Sequence, residues 1–203
     1  MEILIDEQPV TLTGATLGEL LEEARELLDE RGRIIAEVEV DGSPLVGDGL
    51  EEAQDRAVEG DRLVLRTEDA RALTLSALAE IDEQLPRAAE IQAEAADLLQ
   101  GDEPVEAFER VADAIGIWLA AHQTVAQTAL LMDIDLESLE LGEGDGGATI
   151  DHLRERLTEL KDLMTRGDTV ALADSLAYEW PETVDRWRAL VASLSRAIGD
   201  TDR

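Results

Sequence analysis

The chain of 203 residues carries 48 Asp and Glu against 17 Lys and Arg, a formal net charge of −31, and contains no cysteine. Without thiols it can form no disulfide, no thiolate nucleophile and no cysteine-ligated zinc or iron–sulfur site. Its single lysine, Lys161, and its dispersed arginines leave no basic cluster to hold a nucleic-acid backbone, so direct nucleic-acid binding is not expected.

A surface this acidic repels itself at low ionic strength and relaxes when screened. It reads either as a solvated, halophilic-type surface suited to a salty cytoplasm, or as a field that steers in a partner with a basic face. All five aromatic residues (Phe108, Trp118, Tyr178, Trp180, Trp187) fall in the second half, so the two halves have cores of different material. Two domains are expected, 1–68 and 69–203. MEILID opens with an acid and an alternating pattern rather than a basic region and an apolar run, so no secretory leader is expected and a cytoplasmic location is.

Ile3 and Ile5 alternate with Glu2, Leu4 and Asp6, and after a turn at Asp6–Pro9, Val10 and Leu12 alternate with Thr11 and Thr13, which predicts a hairpin. Thr16 and Glu19 form a capping-box pattern ahead of Leu17, Leu20, Leu21, Ala24, Leu27 and Leu28, a 3.6-residue stripe that stops at Gly32. RIIAEVEV (33–40) predicts a strand with Ala36, Val38 and Val40 on one side, and Asp41-Gly42 a turn. The stretch 43–60 has no clear period. EGDRLVLRT (59–67) predicts a last strand with Leu63 and Leu65 inward.

The string MEILID, the helix opening TLGELLEEA, the strand and turn VEVDG and the terminal GDRLVLRT resemble the β-grasp, or ubiquitin-like, fold. The resemblance is to its sulfur-carrier branch, which includes the small subunit of molybdopterin synthase and the thiamine sulfur carrier. It covers about the first third of the chain and implies a β-β-α-β-β order. Carriers of that family end in a free Gly-Gly whose carboxylate takes the sulfur, whereas here the chain continues as RTEDARALTLSALAE. The resemblance therefore implies the fold and a docking module, and not carrier chemistry.

From about residue 69 the period becomes helical. Leu78, Ile81, Leu85, Ala88, Ala95 and Leu98 trace one face, with Pro86 expected to kink or break the helix. Gly101–Pro104 reads as a stop and a start, and the next helix runs from about Pro104 to about Met132. After an acidic, glycine-rich loop (133–147), Ile150, Leu153, Leu157, Leu160 and Met164 repeat at 3, 4, 3, 4, the spacing of a helix packed lengthwise on others. Gly167-Asp168 precedes a last helical region, 169–199, whose second half Pro181 starts or kinks. The predicted class is α+β: an N-terminal β-grasp domain followed by an antiparallel bundle of four to five helices.

Residues 114–132 (AIGIWLAAHQTVAQTALLM) carry no formal charge. His122, Gln123, Thr124, Gln127 and Thr128 in the middle of this stretch argue against a membrane span. The expectation is the buried centre of the bundle, with an interface to a partner or a second copy as the alternative. His122 follows Trp118 by one turn, where the two could line a small-molecule or metal pocket. A core histidine is the commoner use. Glu-x-x-His, the motif of metal sites in bundles, is absent, since Leu119 precedes His122 and Thr149 precedes His152 by three.

GEGDGG (142–147) matches a dinucleotide-binding spacing, but no β-α-β unit surrounds it and Glu143 and Asp145 would repel a pyrophosphate. Asp133, Asp135 and Glu137 have the odd spacing of a calcium loop, but Ser138 and Gly144 stand where it needs glycine and glutamate. Tyr178, Trp180 and Trp187 gather in ADSLAYEWPETVDRW, either as core or as a partner-facing patch. The functional expectation is a non-enzymatic protein-binding module without a cofactor, an acidic adaptor or chaperone-like protein for a basic or amphipathic partner. Its candidate interaction residues are Trp118, His122, Tyr178, Trp180 and Trp187. The alternatives are a bundle that binds a small molecule or metal near Trp118 and His122, and an acidic mimic of nucleic acid.

Overall fold

The structure, a computed structural model, describes residues 1–58, 60–142 and 144–200. Glu59, at the start of the expected last strand, and Glu143, in the glycine-rich loop, lie outside the described residues. The chain divides into two units, Met1–Leu73 and Thr74–Arg203, each with its own hydrophobic core.

The first unit holds five strands and two helices: β1 (Glu2–Ile5), β2 (Gln8–Pro9), α1 (Leu17–Asp29), β3 (Arg33–Val40), β4 (Ser43–Pro44), α2 (Asp48–Gln54) and β5 (Arg62–Asp69). The strands form one mixed sheet in the order β2-β1-β5-β3-β4, in which β1 and β5 are parallel and the other pairs antiparallel. Ile3, Ile5, Leu63 and Leu65 send side chains to one face, where Leu17, Leu20, Leu21, Ala24 and Leu28 of α1 cover them. Burial of each such aliphatic side chain stabilises the unit by about 1.5–3 kcal/mol relative to exposure. The capping box at Thr16 and Glu19 forms in both directions and fixes where α1 starts.

Three local readings change. The second strand lies at Gln8–Pro9, inside the expected Asp6–Pro9 turn, and not over Val10–Thr13, where Thr13 turns its backbone N–H and hydroxyl to the Glu23 carboxylate at 2.7 and 2.8 Å. In β3 a bulge between Ile35 and Glu37 shifts the alternation, so Ile35 and Val38 pack toward α1 and Ala36 is exposed. The stretch 43–60 contains β4 and α2. A side chain on Gly18 would put its Cβ 3.1 Å from the Gln54 carbonyl oxygen, so the glycine lets the end of α2 approach α1.

Asp6 and Glu7, at the β1–β2 turn, both have positive φ, 47° and 65°, the backbone of a tight hairpin. The Asp6 carboxylate accepts hydrogen bonds from the Thr67 hydroxyl at 2.5 Å, the Thr67 backbone N–H at 2.8 Å and Arg33 at 3.3 Å. The Thr67 hydroxyl, above all, holds the Asp6 carboxyl below its usual pKa, and Arg33 acts in the same direction.

The second unit is helical: α3 (Ala70–Gln100), α4 (Pro104–Leu131), a 3₁₀ turn (Leu136–Ser138), α5 (Gly146–Arg166), α6 (Thr169–Tyr178) and α7 (Trp180–Asp200). The division between units falls in the first turn of α3. Pro86 does not break α3 as expected. It lies on the exposed face, where water can take the place of the hydrogen bond that proline cannot donate. Asp145 caps α5 by accepting from the Ala148 N–H at 2.8 Å, Asp168 caps α6 through Ala171 at 3.1 Å, and Gly167 ends α5 at φ 68°. Arg188 of α7 holds Asp82 of α3 through two hydrogen bonds of 2.9 and 3.2 Å, across 106 positions of sequence. Among the described residues no helix is long and apolar enough to cross a membrane.

Candidate interaction surface

Helix α4 supplies the second unit's most distinctive surface. Its inner side is Ala107, Val111, Ala114, Trp118, Ala121 and Val125, all buried at the 3.6-residue period. Its outer side in the charge-free stretch is Gly116, Leu119, Ala120, Gln123, Ala126 and Leu130, all exposed. Leu119 is 60 % and Leu130 84 % exposed. The stretch is thus not buried all round. One side builds the core, and the other is a neutral, partly aliphatic strip on a chain of net charge −31.

Trp118, Trp180 and Trp187 are fully buried, which corrects the expectation of an interaction patch at these three positions. Trp118 packs against Trp180 at a centroid distance of 5.4 Å and edge-on to Trp187 at 6.0 Å. In the amide orientation that satisfies both groups, buried Gln92 accepts from the Trp118 indole N–H at 3.1 Å and donates to the Ala88 carbonyl at 3.2 Å. The indole N–H groups of Trp180 and Trp187 have no hydrogen-bond partner among the described residues. Ring packing rather than hydrogen bonding holds those two side chains. Tyr178 differs from its tryptophan neighbours and is 77 % exposed at the end of α6.

His122 lies on the exposed part of α4, its ring 6.4 Å from that of Trp187. His122 is therefore not the core histidine expected, and Trp118, sealed in the core, cannot line with it the pocket held as the alternative. Among the described residues no three His, Cys, Asp or Glu side chains converge as metal ligands. The Asp133, Asp135 and Glu137 series has another use: the Asp135 carboxylate accepts from the Glu137 N–H at 3.0 Å and caps the 3₁₀ turn.

His152, the other histidine, is half-buried, with Nε2 3.1 Å from the hydroxyl of buried Thr183. Burial holds its pKa below 6.5, and Arg186 and Arg156 add to that effect while Glu182 and Glu155 oppose it. The folded protein therefore keeps this imidazole neutral at pH values where the unfolded chain protonates it. Stability falls as pH drops below the unfolded value, and the loss is complete once pH passes the folded value. His152→Gln, which can still hydrogen-bond Thr183, is expected to lose less melting temperature than the parent between about pH 7 and 5.5. Thermal denaturation of both proteins across that window checks it, and parallel curves would remove His152 as the source.

A groove of about 600 Å³ lies where the outer side of α4 ends. Its floor is Ala129, Ile134, Leu136 and Ile150, exposed Leu130 stands at its edge, and its rim carries Asp133, Asp135, Glu137 and Asp151 with Arg154. It is assembled from the end of α4, the 3₁₀ turn and the first turns of α5. Gly146, buried in the first turn of α5, brings that helix against the Leu136 carbonyl. Arg154 is occupied by Asp151 at 2.6 Å.

Comparison with protein-family models, with curated proteins and with solved structures finds no match to this chain.

Proposed function

We propose that this chain is a non-enzymatic protein-binding module, an acidic adaptor or chaperone-like protein whose helical unit supplies the docking surface. The observation that carries the reading is the neutral outer side of α4, with Leu119 and Leu130 at 60 % and 84 % exposure on a chain of net charge −31. Carboxylates are strongly hydrated, and a neutral, partly aliphatic strip is a place where a partner can bury area without stripping water from them. For the N-terminal unit, the parallel pairing of β1 with β5 and the packing of α1 on one sheet face support the β-grasp reading.

Affinity capture from a lysate of the source cells, at matched salt, tests the module reading. Leu119→Glu and Ala126→Glu each put a carboxylate on an exposed site of the strip, where folding does not depend on the residue. A protein retained near stoichiometrically by the parent and lost by both variants supports the reading. The same retained set for parent and variants, or retention of the bait alone, overturns it.

A further inference from the structure

The groove at the end of α4 has two properties that together select an occupant. Its floor is aliphatic and open, with Leu130 at the junction with the neutral strip. Its rim is four carboxylates against one guanidinium, and that guanidinium is already paired with Asp151. An acidic or neutral segment placed there would cover the floor but leave the rim carboxylates partly desolvated and unpaired, an unfavourable exchange. A second copy of this chain brings the same net charge of −31 and the same rim. A segment with aliphatic side chains flanked by Arg or Lys meets both properties at once.

We propose that the groove between the C-terminal end of α4 and the first turns of α5 docks an amphipathic, Arg- or Lys-flanked segment of a partner protein. The proposal rests on the protein-binding reading and narrows it to one site and one partner chemistry. Aliphatic side chains of the segment enter over Leu130, Ile134 and Ile150, which supplies affinity. Its cations meet Asp133 and Glu137, which sets orientation and the rate of encounter. Attraction at the open rim is screened by salt, while contact with the floor is not.

Fluorescence anisotropy with three labelled peptides tests this on the full chain. The first is a helical peptide with leucines at i, i+3 and i+7 and arginines on the flanks. The second has the same composition scrambled so that no apolar face forms, and the third replaces Arg by Glu. The expected result is saturable binding of the first peptide alone, weakened about tenfold by Leu130→Ser. Asp133→Asn with Glu137→Gln should weaken it less at high salt than at low salt. Leu130 and the two acids are exposed, so the variants keep the fold, and circular dichroism verifies that. Equal binding of the ordered and scrambled peptides would reduce the effect to bulk charge and overturn the proposal. So would unchanged binding by Leu130→Ser, or no binding of the first peptide by the parent. If Leu119→Glu loses a captured protein that Leu130→Ser and the Asp133/Glu137 variant retain, the module reading stands and the groove proposal falls.

Discussion

Trp118→Ala is expected to cost the helical unit about 3–5 kcal/mol, a large part of the roughly 5–15 kcal/mol that stabilises a typical domain. The side chain is fully buried and is the ring on which Trp180 and Trp187 both pack. Truncation leaves a cavity that the other two rings cannot fill without leaving their own rotamers. It also strands buried Gln92, whose amide oxygen loses the indole donor. Trp187→Phe provides the contrast. It removes an indole N–H that has no acceptor among the described residues, so no polar partner is orphaned, and a ring remains. Urea unfolding followed by far-ultraviolet circular dichroism should rank Trp118→Ala well below Trp187→Phe. A Trp118→Ala protein within about 1 kcal/mol of the parent would mean that this core repacks freely.

The second large effect comes from adjacent glycines that behave differently. Gly146→Ala would place a Cβ 2.5 Å from the Leu136 carbonyl oxygen and 3.1 Å from Leu190 Cδ1, and the nearer atom is backbone. That carbonyl belongs to the 3₁₀ turn capped by Asp135, so it is not free to withdraw. The cost should be about 1–3 kcal/mol, with the groove deformed as α5 is pushed away. Gly147→Ala meets no backbone atom but the Glu137 Cγ at 3.1 Å, part of a flexible exposed side chain, and the Asp145 carboxylate oxygen that caps α5 at 3.2 Å. There the gain in helix propensity of alanine over glycine, up to about 1 kcal/mol, opposes these contacts. Thermal melts should show Gly146→Ala clearly destabilised and Gly147→Ala near or above the parent. A reversed order would mean that α5 does not rest against the Leu136 carbonyl.

What could be read in advance divides by the range over which each signal acts. The start of α1 is written in four adjacent residues, Thr16 to Glu19, and the capping box forms from them alone. The inward set of β5 follows from simple alternation, and Leu63 and Leu65 are fully buried. The β3 bulge is set by pairing with β5, so nothing within 33–40 marks it. Helix α2 buries no residue fully, and its seven positions carry too little periodicity to be seen. In α4 the absence of charge points to a buried centre or to an interface without choosing between them, and the helix has a buried side and an exposed neutral one. The spacing of Trp180 and Trp187 placed both on one face but not which way that face points. The groove depends on three segments meeting, and its one trace in the sequence, the acids at 133, 135 and 137, resembles a calcium loop more than a rim.

The outer strands of the N-terminal sheet restrict how that unit can take part in any assembly. β2 and β4 are two residues long, and each contains a proline, Pro9 and Pro44. Proline has no N–H to give, and two residues offer an incoming chain almost no ladder to extend. Growth of the sheet by a strand added to β2 or β4 is disfavoured, although β4 covers β3 only at Glu39 and Val40 and leaves the rest of that strand's outer edge without a neighbouring strand. At these two short strands, neighbouring copies find little backbone to pair with, even where high salt has removed the mutual repulsion of their carboxylates.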